Sequence, residues 1–171
     1  MVLVNKILNI LNSMEDVATV MYETGYSANL RIDRKPSPYA ILYLVQGADL
    51  DLSNNLKESC EVEVYFCKEN KLDADGLTTQ AVIDDMMVLA KQFISIINTD
   101  KSVRIDDNIH IQNAYGRFDK HTAGVSVQFT ISDRQAHCID YEEPSIRTLT
   151  ITENGEYDTT QYGKVIVNIN Q

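Results

Sequence analysis

The residue types that could bind a metal ion or act as nucleophiles are few in this sequence, and their spacing is unfavourable. Cys60, Cys67, His137 and Cys138 are the candidate zinc ligands. Structural zinc sites usually use two ligands from one turn, as in C-x-x-C or H-x-x-x-H, and neither pattern occurs here. If Cys60 and Cys67 share a strand, they point to opposite faces of the sheet. We therefore expect reduced thiols that behave as small buried hydrophobic residues, and no metal.

The spacing of the acidic residues also does not match a calcium-binding loop or an acid–base catalytic pair. Asp73-Ala74-Asp75-Gly76 has the composition of a calcium loop, but its glycine comes at the fourth position instead of the sixth. It is better interpreted as a turn and a helix cap. The paired carboxylates are adjacent in sequence, which is the wrong spacing for opposed acid and base groups. Neither a G-x-S-x-G motif nor a phosphate-binding loop is present, so we expect neither enzymatic activity nor a cofactor.

The overall charge limits the possible partners of this protein. The chain has 171 residues and a formal net charge of −10, without a cluster of Lys or Arg to offset it. Such a surface repels nucleic-acid phosphates, so a DNA-reading function is unexpected, although an acidic wall can let DNA slide past. The N-terminal stretch is interrupted by Asn5, Lys6, Asn9 and Asn12, unlike a signal peptide, and no run is long enough to span a membrane.

Hydrophobic periodicity predicts the main elements that must position these residues. Helices are predicted at residues 2–13 and 78–98, the second with a wide apolar stripe suited to packing across a sheet. Strands are predicted at 39–46, buried on both faces, and at 60–67, where Val62, Val64 and Phe66 point inward and Glu61, Glu63 and Tyr65 outward. Two further strands are predicted at 108–115 and 123–131.

The remaining stretches of the first 138 residues are less regular. Residues 17–33 favour a strand or an irregular pair broken at Gly25, and residues 47–55 a polar loop. Because strands outnumber helices without βαβ alternation, we predict an α+β fold with a mostly antiparallel sheet packed against one long helix. Residues 1–138 are predicted to form this core. Residues 139–171 are predicted to form an acidic hinge followed by a C-terminal two-stranded β appendage, and we call this appendage the terminal arm.

The terminal arm contains two strand-like runs that need a partner. They flank turn-forming Asn154-Gly155 and Tyr162-Gly163. A unit of this size cannot bury enough apolar surface to be stable alone, so it must pair with the core or with another copy of the chain. Tyrosine suits interfaces because it combines rigid apolar area with a polar tip. The candidate interface residues are Leu149, Ile151, Tyr157, Tyr162, Val165, Val167 and Ile169.

These patterns resemble those of tailed-bacteriophage proteins. The arm, TLTITENGEYDTTQYGKVIVNIN, resembles terminal segments of phage structural proteins. SPYAILYLV, CEVEVYF, an acidic loop, a helix ending FISIIN, and GVSVQFTISD together resemble the tail-terminator family, also called tail-completion or head–tail joining proteins. The resemblance covers about residues 2–135 and implies an α+β subunit that assembles into rings at the head-proximal end of the tail. The arm departs from the family pattern.

The resemblance implies a non-enzymatic virion protein, made in the bacterial cytoplasm. It would form a homo-oligomeric ring, as a hexamer or dodecamer, that caps the tail tube or joins tail to head and contacts portal, connector or tail proteins. DNA would pass through without specific binding, and Asp73 and Asp75 are candidates to face an acidic lumen. No membrane is implicated. The alternative is a decoration or recognition module that binds host-surface glycans, with Tyr157 and Tyr162 as the candidate aromatic residues.

Overall fold

The computed structural model describes residues 2–45, 47–51, 57–116, 118 and 121–133. The predicted hinge and terminal arm lie outside these residues, as do His137 and Cys138. The described elements are α1 (Val2–Ser13), β1 (Thr19–Glu23), α2 (Gly25–Ile32), β2 (Tyr39–Tyr43), β3 (Asp49–Asp51), β4 (Lys57–Glu69), α3 (Gly76–Thr99), β5 (Val103–Ile105), β6 (His110–Tyr115) and β7 (Thr122–Asp133). This composition confirms the predicted α+β class.

The strands form one sheet of seven, built around the pair β4 and β7. Antiparallel pairing runs from Ser59 opposite Ser132 to Glu69 opposite Thr122. The other edge of β4 pairs with β2 and, further along, with β3. The other edge of β7 pairs with β5 and β6. Among the described strands, only β1 and β2 form a parallel pair, so the sheet is mostly antiparallel as predicted.

The main hydrophobic core lies on the face of the sheet covered by α1 and α3, which we call the helix face. Alternate residues of β4 and β7 point to it, including Val64, Phe66 and Val127, and all are buried as the period-two patterns predicted. Phe93 of α3 contacts the ring of Phe66 with centroids 5.6 Å apart. The predicted stripe of α3 is mostly confirmed, but Ile96 is exposed. No described helix is both long enough and apolar enough to cross a lipid bilayer.

Residues 17–33 form a strand and a helix, and the prediction of a strand or irregular pair was wrong in its second half. Gly25 begins α2 because Thr24 caps it: the Thr24 side chain accepts from the Ser27 N–H, and the Ser27 side chain accepts from the Thr24 N–H. Since β1 and β2 are parallel and α2 connects them, these three elements form a βαβ unit. The expectation of no such alternation is corrected accordingly.

The opposite face of the sheet, which we call the open face, carries a second, smaller core. Ala28 and Ile32 of α2 pack there with Tyr39, Ile41 and Phe118. Tyr65 and Cys67 belong to the same cluster, so Tyr65 points away from Val64 as predicted but is buried instead of exposed. Cys60 belongs to the main core, which confirms that the two thiols lie on opposite faces; both are free and buried.

The short strands were not predicted. β3 lies within the stretch predicted as a polar loop, and β5 was not anticipated at all. Val103 pairs with Asp133 in β5, whereas His110 pairs with Gln128 in β6, so the chain between them contains two more residues than the matching stretch of β7. This bulge makes β6 begin at His110 instead of the predicted Asn108.

The close approach of β7 to β4 requires glycine at position 124. A Cβ atom at Gly124 would collide with the backbone carbonyl oxygen of Phe66 and lie 2.7 Å from the Cα of Cys67. We expect Gly124→Ala to lower the free energy of unfolding by about 1–3 kcal/mol or more, the usual cost of overpacking. The clash is with backbone atoms, which a change of side-chain rotamer cannot relieve. Urea unfolding followed by circular dichroism measures this.

Gly76→Ala is the matched control, since no atom lies within 4 Å of its Cβ position. In the first turn of α3 it should leave stability unchanged or raise it by about 0.5–1 kcal/mol. Equal unfolding midpoints for the two variants would contradict the role assigned to Gly124.

Candidate functional site

An open groove of about 710 Å³ lies on the open face of the sheet, next to the region that α2 covers. We call it the polar groove, because its lining, from β2, β3, β4, β6, β7 and the adjoining loops, includes the polar residues Tyr43, Asp49, Ser59, Glu61, Glu63, Asn108, His110, Gln128 and Thr130. The strand register explains this arrangement, because Glu63 lies opposite Gln128 and Gln128 lies opposite His110. The groove exists because α2 covers only the part of the open face nearest β1 and β2.

Glu63 lies at the centre of the hydrogen bonding in the polar groove. Its Oε1 accepts from the Tyr65 hydroxyl at 2.6 Å and from Nε2 of Gln128 at 2.8 Å. The ring of Tyr65 in turn contacts that of Tyr43, with centroids 4.6 Å apart. These contacts hold the Glu63 carboxylate in place and join the floor of the groove to the smaller core.

The chemistry available in the polar groove is recognition of polar groups. Asp49, Glu61 and Glu63 supply carboxylates, and the described lining contains no Lys or Arg. Such a surface accepts hydrogen bonds and favours cationic or hydroxyl-rich partners. Nowhere in the described part of the chain do three or more His, Cys, Asp or Glu side chains come together as a metal site would require. The groove was not predicted, although the outward polar alternation of residues 60–67 was a signal for part of it.

The outer edge of β6 is a second candidate site, because its backbone is not paired with any described strand. The N–H of Gly116 donates to the carbonyl oxygen of Thr122 at 3.2 Å, which continues the β6–β7 register. In an antiparallel ladder the bonded positions alternate. His110, Gln112 and Ala114 therefore bond to β7, while Ile111, Asn113 and Tyr115 point their N–H and C=O groups outward.

The opposite edge of the sheet, at β1, has a different character. All five side chains of Thr19–Glu23 are buried or half-buried, whereas those of β6 are mostly exposed. The only charged residue of β1, Glu23, is held by Arg31 of α2 at 2.6 Å. The two outer strands of the described sheet thus present unlike surfaces, one flanked by helices and one open and polar.

The predicted acidic residues lie where the sequence placed them, between β4 and α3. Asp73 is exposed in the turn. Asp75 is the N-cap of α3, and its carboxylate accepts from the Thr78 N–H at 2.7 Å. Hydrogen bonds from Thr78 and Leu77 lower the pKa of Asp75, so it carries its charge at neutral pH. A cap at Asp75 or at Thr78 was predicted, and Asp75 provides it; the lumen-facing roles of Asp73 and Asp75 stay predictions. The predicted interface residues of the terminal arm lie outside the described residues.

One buried ion pair stabilises the end of β7. The Asp133 carboxylate is fully buried, and the Lys6 ammonium of α1 lies 3.4 Å from its Oδ1. Lys6 also donates to the carbonyl oxygen of Ser102. Hydrogen bonds from Ser102, together with the charge of Lys6, lower the pKa of nearby Asp100. These contacts join α1 to β7, the last described strand. Lys6, Ser102 and Asp133 do not line the polar groove.

The described thiols should be chemically inert in the folded protein. Burial raises the pKa of Cys67 to about 12, and burial together with the Glu58 carboxylate raises that of Cys60 to about 11. Because the thiolate is the reactive form, both groups are almost entirely unreactive near pH 8. We expect a Cys138→Ser variant to react very slowly with Ellman's reagent when folded. In guanidinium, both remaining thiols, Cys60 and Cys67, should react at once. Rapid native reaction of either thiol would contradict their burial.

The polar groove and the outer edge of β6 are thus the two candidate sites that the described residues offer. No protein-family model matches this sequence, and a search of curated proteins found no significant match.

Proposed function

We propose that this protein is a non-enzymatic structural subunit of a tailed-phage particle, which assembles into a ring that caps the tail tube or joins tail to head. The observation that carries the proposal is the pair of unlike sheet edges, at β1 and at β6. The resemblance of residues 2–135 to tail terminators supplies the context. The α+β fold, with one long helix across the sheet, has the architecture that this resemblance implies.

Unlike edges matter because they determine which assemblies can form. A two-fold dimer uses the same patch on both subunits, whereas a ring needs two different patches that fit each other. The half-buried edge at β1 and the open polar edge at β6 supply two different patches of the kind that a ring needs. The terminal arm adds a segment that needs an external partner, which favours exchange between neighbouring subunits.

The charge distribution supports a ring through which DNA passes. A net charge of −10 avoids trapping phosphates, and the exposed carboxylates of Asp73 and Asp75 are suited to a lumen wall. The ring would be a hexamer or dodecamer, made in the bacterial cytoplasm and present in the virion. Its other partners would be portal, connector or tail proteins.

The assembly state tests this proposal. We expect the full chain to form one closed oligomer, a hexamer or dodecamer, in size-exclusion chromatography with light scattering, and to appear as rings by negative-stain electron microscopy. Deletion of residues 145–171 should leave the far-ultraviolet circular dichroism of the core but impair assembly. A full chain that is monomeric at every concentration and absent from particles would refute the proposal, and unfolding of the truncated chain would refute the role of the arm.

The polar groove favours a second candidate function, recognition of host-surface glycans. Glycan sites combine an aromatic ring with carboxylate and amide groups, and Tyr43, Glu61, Glu63 and Gln128 provide both kinds of group. This extends the alternative that the sequence placed on Tyr157 and Tyr162. A glycan array should then show binding that Glu61→Gln weakens by about tenfold, the effect of losing one charged hydrogen bond. Absence of binding by the full chain would remove this candidate.

A further inference from the structure

We propose that the outer edge of β6 receives the last strand of a second copy of this chain, residues 164–170, by antiparallel or parallel β-augmentation. The inference depends on the proposed assembly function and specifies which surface of the described sheet makes the contact.

The backbone of β6 provides the template for this pairing. The N–H and C=O groups of Ile111, Asn113 and Tyr115 point away from β7, as the register and the Gly116 bond establish. An added strand can therefore form bonds at three positions without breaking any bond of the existing sheet. Main-chain bonds of this kind supply affinity, and the side chains beside them supply specificity.

The side chains of β6 lack the devices that usually prevent such pairing. Proteins protect open edges with Lys, other charges, proline or a covering element. His110–Tyr115 contains no proline and no Asp, Glu, Lys or Arg, and no described element covers its outer edge. Tyr115 is 71% exposed, an unusual state for so large a ring on a strand. An uncharged, exposed and regular edge is better explained as an interface than as a free surface.

The sequence of the terminal arm identifies the occupant. Residues 164–170, KVIVNIN, carry Val165, Val167 and Ile169 with period two and have a single charge, at Lys164. A strand added to β6 with these three residues on the helix face would extend the main core past Ile111, which is already half-buried there, and would cover Tyr115. Its other side chains, such as Asn168, would lie on the open face beside exposed Gln112.

Two changes in β6 test the edge, and both use the full chain. Asn113→Pro removes an outward N–H without removing a bond to β7, and Tyr115→Lys adds the charge that protects natural edges. Each should raise the apparent dissociation constant of the oligomer at least tenfold in light scattering over a concentration series. Tyr26→Lys is the matched control, because Tyr26 is 77% exposed but lies on α2; it should assemble like the wild type. Circular dichroism checks that each variant is folded.

Two changes in the arm test the occupant. Val167→Asp places a charge on the predicted apolar face of the added strand and should weaken assembly as much as Asn113→Pro. Asn168→Asp adds the same charge to the opposite face and should not. Hydrogen exchange should show the amides of Ile111 and Tyr115 protected in the wild-type oligomer and unprotected in Val167→Asp.

The possible outcomes separate this inference from the proposed function. Rings that form normally in both β6 variants would overturn the role of β6 and leave ring assembly standing. Loss of assembly in the β6 variants but not in Val167→Asp would overturn the choice of occupant. Protected β6 amides in a dilute monomer would show that the edge is occupied within one chain, which refutes the contact with a second copy. A wild type that never assembles would refute both proposals.

Discussion

The antiparallel pairing of β4 with β7 is the constraint on which the rest of the described fold depends. It runs unbroken from Ser59 opposite Ser132 to Glu69 opposite Thr122, and it determines which side chains point to each face. A shift of one residue would exchange the apolar set containing Val64 with the polar set containing Glu63. Gly124 lets the two backbones approach at the end of this pairing, so the register is fixed by sterics as well as by burial.

The two faces of this central pair are covered by helices to different extents, and that difference creates the polar groove. α1 and α3 cover the helix face along its length, so the residues that point to it are almost all apolar. On the open face, α2 covers only one region, where Tyr65 and Cys67 are buried. The next residue of that face along β4, Glu63, is beyond the cover and bonds to Gln128 instead. A polar groove therefore begins where the small helix stops.

Long periodic elements could be predicted from the sequence, since their own pattern determines what they become. α3 has several turns of consistent apolar spacing, and the strand predicted at 123–131 alternates strictly between apolar and polar residues. Both elements therefore form where their own sequence patterns predict them. α2 could not be read in this way, because eight residues carry too little periodicity and its capping box, Thr24 with Ser27, uses serine instead of the glutamate expected there. β3 and β5, of three residues each, exist only because neighbouring strands provide edges for them.

The candidate sites were harder to predict because they are relations between elements. Glu61 and Glu63 were correctly placed on an outward face, but nothing local brings His110 into the same groove; its position opposite Gln128 follows from the two-residue bulge between β5 and β6. The same bulge separates β6 from β5 along the edge of β7 and gives β6 its own register. One local irregularity thus shapes both the wall of the groove and the open edge. A change in the length of residues 106–109 would alter both sites together, whereas substitutions of Asn113 or Tyr115, which do not line the groove, would affect the edge alone.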